Sequence, residues 1–212
     1  MVQSPMSSFS AGKLLVASPS LADPLFGRSV CLVMHHDSNG AIGVLLNRPL
    51  QLGPSQLLKM LEASSEAEKT QGSSRLPSQP ALNHPPVNHP VRPIHFGGPN
   101  AGPVVALHAQ QSLAEAETGA GVYVAAQKEH LQQLVNADAT NPMRLIIGHA
   151  AWKSGQLEAE IAAGLWYLLP ATADRVFEAD DSMWGHLVRT GVGHSLASWV
   201  GVDDTHINPN LN

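Results

Sequence analysis

The stretch SVCLVMHHDSNGAIGVLLN, Ser29 to Asn47, reads as two β-strands folded back on each other. Ser29–His36 and Ala41–Asn47 are rich in β-branched and aliphatic residues, and Asp37-Ser38-Asn39-Gly40 lies between them. An Asn-Gly pair tolerates the positive φ that tight hairpins demand, so the runs are expected to pair antiparallel. Neither run alternates apolar with polar, which predicts that both faces of the hairpin are covered, as in an interior pair of strands.

Outward toward the N-terminus, Ser18 to Arg28 (SPSLADPLFGR) carries Pro19, Pro24 and Gly27 and reads as a loop, preceded by a short strand in Leu14–Ala17. Residues 1–11 are polar and expected to be disordered. In the other direction Arg48-Pro49 ends the second strand. Pro54 suits the first turn of a helix over Ser55–Ala63. From Ser64 to Pro93, Ser, Gln, Pro and His displace the apolar pattern, which reads as an insertion within one domain spanning 12–212. Further short strands are predicted at Ile94–Gly98, Val104–His108, Gly121–Ala125, Met143–Ala150 and Trp166–Leu169. Helices are predicted at Gln127–Asn136, at Gln156–Ala163 with Ser154 as N-cap, and from Asp180 or Asp181 to a stop at Gly191. Trp152 falls in the turn before the second of these. About seven strands among a few helices, without steady alternation, imply an α+β fold with a mixed sheet.

Composition narrows the function classes. The chain of 212 residues is 43% hydrophobic and 14% charged, the signature of a folded globular protein. Twelve basic against 17 acidic residues give a net charge of -5, which disfavours direct nucleic-acid contact because phosphate binding rests on clustered Lys and Arg. One cysteine and no signal-like N-terminus lead to the expectation of a cytoplasmic protein, with no apolar run long enough for a membrane span. A monomer satisfies everything in the pattern.

Eleven histidines raise the question of metal, but no HExxH or cysteine ligand set occurs, and His84, His89 and His95 sit in or beside the low-complexity stretch. No metal and no cofactor is expected: GxSxG is absent, and Gly191-Val192-Gly193 lacks the rest of a dinucleotide fingerprint. Cys31, mid-strand, reads as a small buried hydrophobe. His35 and His36 precede Asp37 at the hairpin tip; adjacent strand residues face opposite sides, so one imidazole at most would pair with Asp37 as a general base. In GHAAWKSGQLEAE (Gly148–Glu160), Gln156 and Glu160 share a helix face opposite Leu157 and Ile161, and Glu158 lies near the positive helix N-terminus. Asp23 and Arg28 are expected to tie their loop to the sheet by charge-assisted hydrogen bonds.

Three stretches together resemble the AlgH/YqgE family of bacterial proteins: Gly12–Pro49, the Gly97-Gly98-Pro99 turn, and RLIIGHAAWKSGQLEAEI at Arg144–Ile161. His149 and Ala151 depart from the family's Tyr and Gly beside the tryptophan, and Asn100 from its Val. The resemblance implies a compact fold with a barrel-like, bifurcated mixed sheet surrounded by helices, and a description as transcriptional regulators. It marks Asp23, Arg28, His36, Asn47, Arg48, Trp152, Gln156 and Glu158 as candidate ligand or partner residues gathered at one end of the fold. The resulting expectation is a non-catalytic binding or regulatory module with an unidentified protein or small-molecule partner. The alternative is a hydrolase-like enzyme with a polar pocket near Trp152 and the His35/Asp37 tip.

Overall fold

The computed structural model describes residues 11–50, 93–137 and 140–200; the expected helix at 55–63 and nearly all of the 64–93 stretch lie outside them. Ten strands form one continuous network: β1 (Lys13–Ala17), β2 (Val30–Asp37), β3 (Gly40–Leu45), β4 (Pro49–Leu50), β5 (Ile94–Phe96), β6 (Asn100–His108), β7 (Ala116–Gly119), β8 (Val122–Ala125), β9 (Met143–Lys153) and β10 (Trp166–Pro170). The helices are α1 (Lys128–Asn136), α2 (Gln156–Ala162), a single turn α3 (Ala173–Val176) and α4 (Asp180–Val200).

The main path runs β10-β1-β2-β3-β9-β6-β8-β7, every neighbouring pair antiparallel. Strand β9 forks the sheet. One of its edges pairs with β6; the other takes β5 in parallel along Leu145–Ile147 and then β3 antiparallel along Ala150–Lys153. At the fork Gly148 has φ +77°, and a Cβ there would lie 2.8 Å from the Gly98 carbonyl oxygen, so a side chain is excluded by both conformation and space. The curled sheet nearly closes on itself: Ala120 N donates to Ala171 O (3.0 Å) and Ala173 N to Ala120 O (3.2 Å), joining the β7–β8 turn to the end of β10. The fold is α+β with a mixed, bifurcated sheet.

The unalternating hairpin has the expected cause. Val30 and Leu32 pack with Leu14, Val16 and Ile146 on the concave face, where Val176 of α3 and Met183 and Leu187 of α4 complete the core. Cys31 and Val33 face outward against Leu15, Trp152, Trp166 and Leu157 of α2. A third cluster seats Leu131 and Leu134 of α1 on Val104, Ala106 and Leu145. In the hairpin turn Gly40 alone takes a positive φ, while Asn39 is held by the Asp37 carboxylate, which accepts its backbone N–H at 2.7 Å.

Several boundaries differ from the sequence reading. Strand β9 runs three residues beyond Ala150, so Trp152 is a strand residue paired with Ala41 and not part of a turn. Helix α2 has Gly155, in the left-handed region, as its N-cap; Ser154 instead donates its hydroxyl to Ser38 O at 2.6 Å. Strand β7 carries too few apolar residues to be recognised in advance. Helix α4 passes through Gly191 without stopping. There a Cβ would meet the Tyr167 Cβ at 2.7 Å, so this glycine lets the helix lie against β10.

Two helical glycines two residues apart should therefore respond oppositely to alanine. Gly191→Ala is expected to lose about 1–3 kcal/mol through overpacking. Gly193→Ala, whose Cβ would meet nothing within 4 Å, should gain up to about 1 kcal/mol from helix propensity. Urea unfolding of both variants checks the contrast.

Candidate functional site

The candidate residues fall into two groups, which corrects the expectation that they gather at one end. Val30 and His36 are six steps apart along β2, roughly 20 Å at the strand rise. The first group sits at the Val30 end. Asn47 accepts the Val30 N–H (3.0 Å) and donates to Arg28 O (3.0 Å). Arg48 donates to Gly27 O (2.6 Å), Asn47 O (3.2 Å) and, at 3.4 Å, to Leu25 O and Arg28 O. These two side chains following β3 thus satisfy carbonyls of the loop that precedes β2. Asp23 acts within the loop, its Oδ1 accepting the N–H groups of Leu25 (2.8 Å) and Phe26 (2.7 Å).

The expected ties from Asp23 and Arg28 to the sheet are not made: the Asp23 carboxylate bonds within its own loop, and no hydrogen bond or ion pair among the described residues involves the side chain of Arg28. Arg28 adopts φ +57°, the one non-glycine positive φ among the described residues, and its guanidinium stands over the Trp184 ring at 5.5 Å from the centroid. The Trp184 indole is itself anchored by donating to Ala17 O at 2.8 Å. Below the loop a cavity of about 330 Å³ is lined by Ser18, Leu21, Asp23, Gly27, Arg28 and Trp184.

The second group lies under α2. In register, His36 pairs with Ala41 and Ala41 with Trp152, so the three side chains share one row on the convex face. Helix α2 covers that row. Glu158 Oε1 meets His36 Nε2 at 2.7 Å, and the Glu158 carboxyl is held low by the backbone N–H at the helix start, then by His36, against the opposing effect of burial. Glu160 Oε2 accepts both indole N–H groups, from Trp152 (3.0 Å) and Trp166 (2.8 Å), while its Oε1 accepts the Gln156 amide at 2.9 Å. Phe26 packs against both indoles, its ring centroid 6.3 and 6.2 Å from theirs, linking the loop to this group. His35 points the other way and pairs with Asp37 at 3.2 Å in solvent, so the two histidines have separate partners. Cys31 is fully buried, and burial pushes its thiol up, which leaves an inert group.

A third constellation was missed from the sequence. Arg144, near the start of β9, donates to Val176 O (2.7 Å), Leu46 O (3.1 Å) and Glu178 O, and pairs with Asp180 at the start of α4. His95 of β5 turns Nε2 toward Asp180 Oδ2 (3.0 Å) and Arg144 Nη1 (2.8 Å), and Nδ1 toward Leu145 O (3.3 Å). Both ring nitrogens face protein groups, so His95 has none left for a substrate. Asp180 thus ties α4 to the sheet. A cavity of about 440 Å³ lies alongside, with Pro93, Met143 and Phe177 in its wall. Residues from three distant segments meet here, and no spacing rule would have paired them. Among the described residues no group of three or more His, Cys, Asp or Glu side chains has metal-binding geometry, and no described helix is long and apolar enough to cross a membrane.

A family model described as AlgH-like matches residues 14–195. The chain belongs to the AlgH-like family. A UPF0301 protein of Xanthomonas campestris pv. campestris is 34% identical over 194 residues, covering 91% of this chain and 90% of that protein. The UPF0301 protein CT0663 of Chlorobaculum tepidum is 32% identical over 188 residues, 86% and 87% of the two chains. Among solved structures, the solution structure of AlgH from Pseudomonas aeruginosa superposes with a TM-score of 0.62 at 23% identity, covering 97% of this chain and all (100%) of that one. Protein DIP2367 from Corynebacterium diphtheriae superposes at 0.60 with 22% identity, over 86% and 87%. At these identities the two superpositions bear on the fold, an AlgH-like arrangement. In this AlgH-like chain His149 pairs with Asn100 across β9 and β6, and the Asn100 amide donates to His149 O at 3.2 Å.

Trp152 is 6% exposed and belongs to the convex-face core, so Trp152→Ala should cost about 3–5 kcal/mol in denaturant unfolding. The Asp180 carboxyl is raised by burial but lowered more by His95 and Arg144, ending below its ordinary value. A depressed carboxyl contributes stability that is fully present above about pH 4 and is lost as pH falls through the lower folded value. Stability of wild type and Asp180→Asn, measured by urea titration across that range, should differ near neutrality and converge in acid.

Proposed function

We propose that this chain is a non-catalytic binding module of the cytoplasm whose recognition element is the Ser18–Ser29 loop with the cavity beneath it. The observation that carries the reading is Arg28. Its carbonyl is gripped by Asn47, its backbone is held in a left-handed conformation that costs a non-glycine residue on the order of 1–2 kcal/mol, and its guanidinium has no hydrogen bond or ion pair among the described residues. A strained cation with five unengaged N–H donors, at the wall of a cavity within the usual size of ligand sites, is prepared for a group from outside.

Asn47, Arg48 and Gln156, and Asp23 through its Oδ1, support this reading in a different way: these atoms bond to the protein itself and so hold the loop and helix in place. The enzyme alternative is weakened on the same ground. The His36 side chain is 6% exposed and faces Glu158, and neither residue lines either of the two cavities described above. A regulatory role would then act through a bound small molecule or protein. Direct DNA contact has no basic stripe to support it, given the net charge of -5.

A thermal-shift panel of small polar metabolites on the full chain tests the proposal. A subset should raise the melting temperature of wild type, fail to do so in Arg28→Gln, and be recovered chemically unchanged by mass spectrometry. Recovery of a cleaved ligand, or a panel without a single shift, overturns it.

A further inference from the structure

We propose that the cavity under the Ser18–Ser29 loop takes a small zwitterion of the amino-acid type, its carboxylate on Arg28 and its ammonium on Asp23. The inference rests on the cavity being a binding site, as proposed above, and adds the chemistry of what it binds.

Two opposite charges line one cavity of about 330 Å³ and do not pair with each other. Arg28 has a left-handed backbone and places its guanidinium over the Trp184 ring, with no ion pair to Asp23. Asp23 is constrained, because Oδ1 accepts the N–H groups of Leu25 and Phe26 and so fixes the plane of the carboxylate. Its Oδ2 has no hydrogen-bond partner among the described residues and stays available as an acceptor.

The charges also decide which ligands are disfavoured. A simple anion on Arg28 would feel the repulsion of Asp23, and a simple cation on Asp23 that of Arg28. A molecule bearing both charges a few ångströms apart meets an opposite charge at each end, and the planar guanidinium suits a carboxylate in two-pronged contact. Besides Ser18 and Gly27, the rest of the wall is Pro19, Leu21 and Trp184, apolar groups that fit an aliphatic side chain. The volume of about 330 Å³ accommodates a free amino acid.

Titration calorimetry of the full chain with leucine, N-acetylleucine and leucinamide at millimolar concentration tests this. Leucine is expected to bind at least about tenfold more tightly than either blocked form. In Arg28→Gln the advantage of leucine over leucinamide should vanish, because the carboxylate has lost its partner. In Asp23→Asn, which retains Oδ1 for the loop, the advantage over N-acetylleucine should vanish instead. If Asp23→Asn fails to fold by circular dichroism, the three ligands on wild type still decide the matter. Equal binding of all three, or no binding of leucine, overturns the inference. An anion that binds through Arg28 without preference for the zwitterion overturns it while leaving the binding-module proposal standing; a silent metabolite panel removes both.

Discussion

Strand β9 has to satisfy two partners along a single edge, and that constraint organises the molecule. Hydrogen bonding along Leu145–Ile147 is taken by β5 in parallel and along Ala150–Lys153 by β3 antiparallel. The two incoming chains must separate where Gly97, Gly98 and Gly148 bring backbone against backbone. Because buried N–H and C=O groups need partners, the junction is sealed by backbone bonds: Leu45 N to Gly97 O (2.8 Å), Gly97 N to Ile147 O (2.7 Å) and Phe96 N to Arg48 O (2.8 Å). The fork directs β3 toward α2 on one side and leaves Asn47 and Arg48 emerging beside the loop that precedes β2.

That placement explains why the polar candidates of the loop divide into atoms that hold it and atoms that stay free. Asn47 and Arg48 meet the carbonyls of Leu25, Gly27 and Arg28, which no strand pairs. Once these carbonyls are held, the loop cannot relax, and Arg28 remains in its left-handed conformation over Trp184. Phe26, from the same loop, packs with Trp152 and Trp166, so the cavity wall and the convex-face core are mechanically continuous.

Under α2, Glu160 resolves a different difficulty. Two tryptophans packed into an apolar cluster each bring an indole N–H that needs an acceptor, and one carboxylate oxygen serves both. The cluster of Arg144, His95 and Asp180 follows the same logic on the far side of the sheet. Its charges are tolerable because the guanidinium is hydrogen-bonded to the carbonyls of Leu46, Val176 and Glu178 as well as to Asp180, where an unpaired buried charge would be costly.

Much of the architecture was readable from residue pattern. The unbroken apolar runs of β2 and β3 announced a hairpin covered on both faces, and the motifs around them marked the AlgH-like family, because burial on two sides leaves a local signature in composition. Strand β7 left no such signature, and the length of β9 was misjudged since Ala151-Trp152-Lys153 looks like a turn until β3 is there to pair with it. The site behaved likewise. Local sequence could nominate Arg28, Asp23 and Arg48, but not that Arg48 would take the loop carbonyls and leave Arg28 to Trp184, a residue more than 150 positions away. Residue type determines which hydrogen bonds a side chain is able to make; only the folded sheet, by setting which groups come within reach and which are already satisfied, decides which ones it makes.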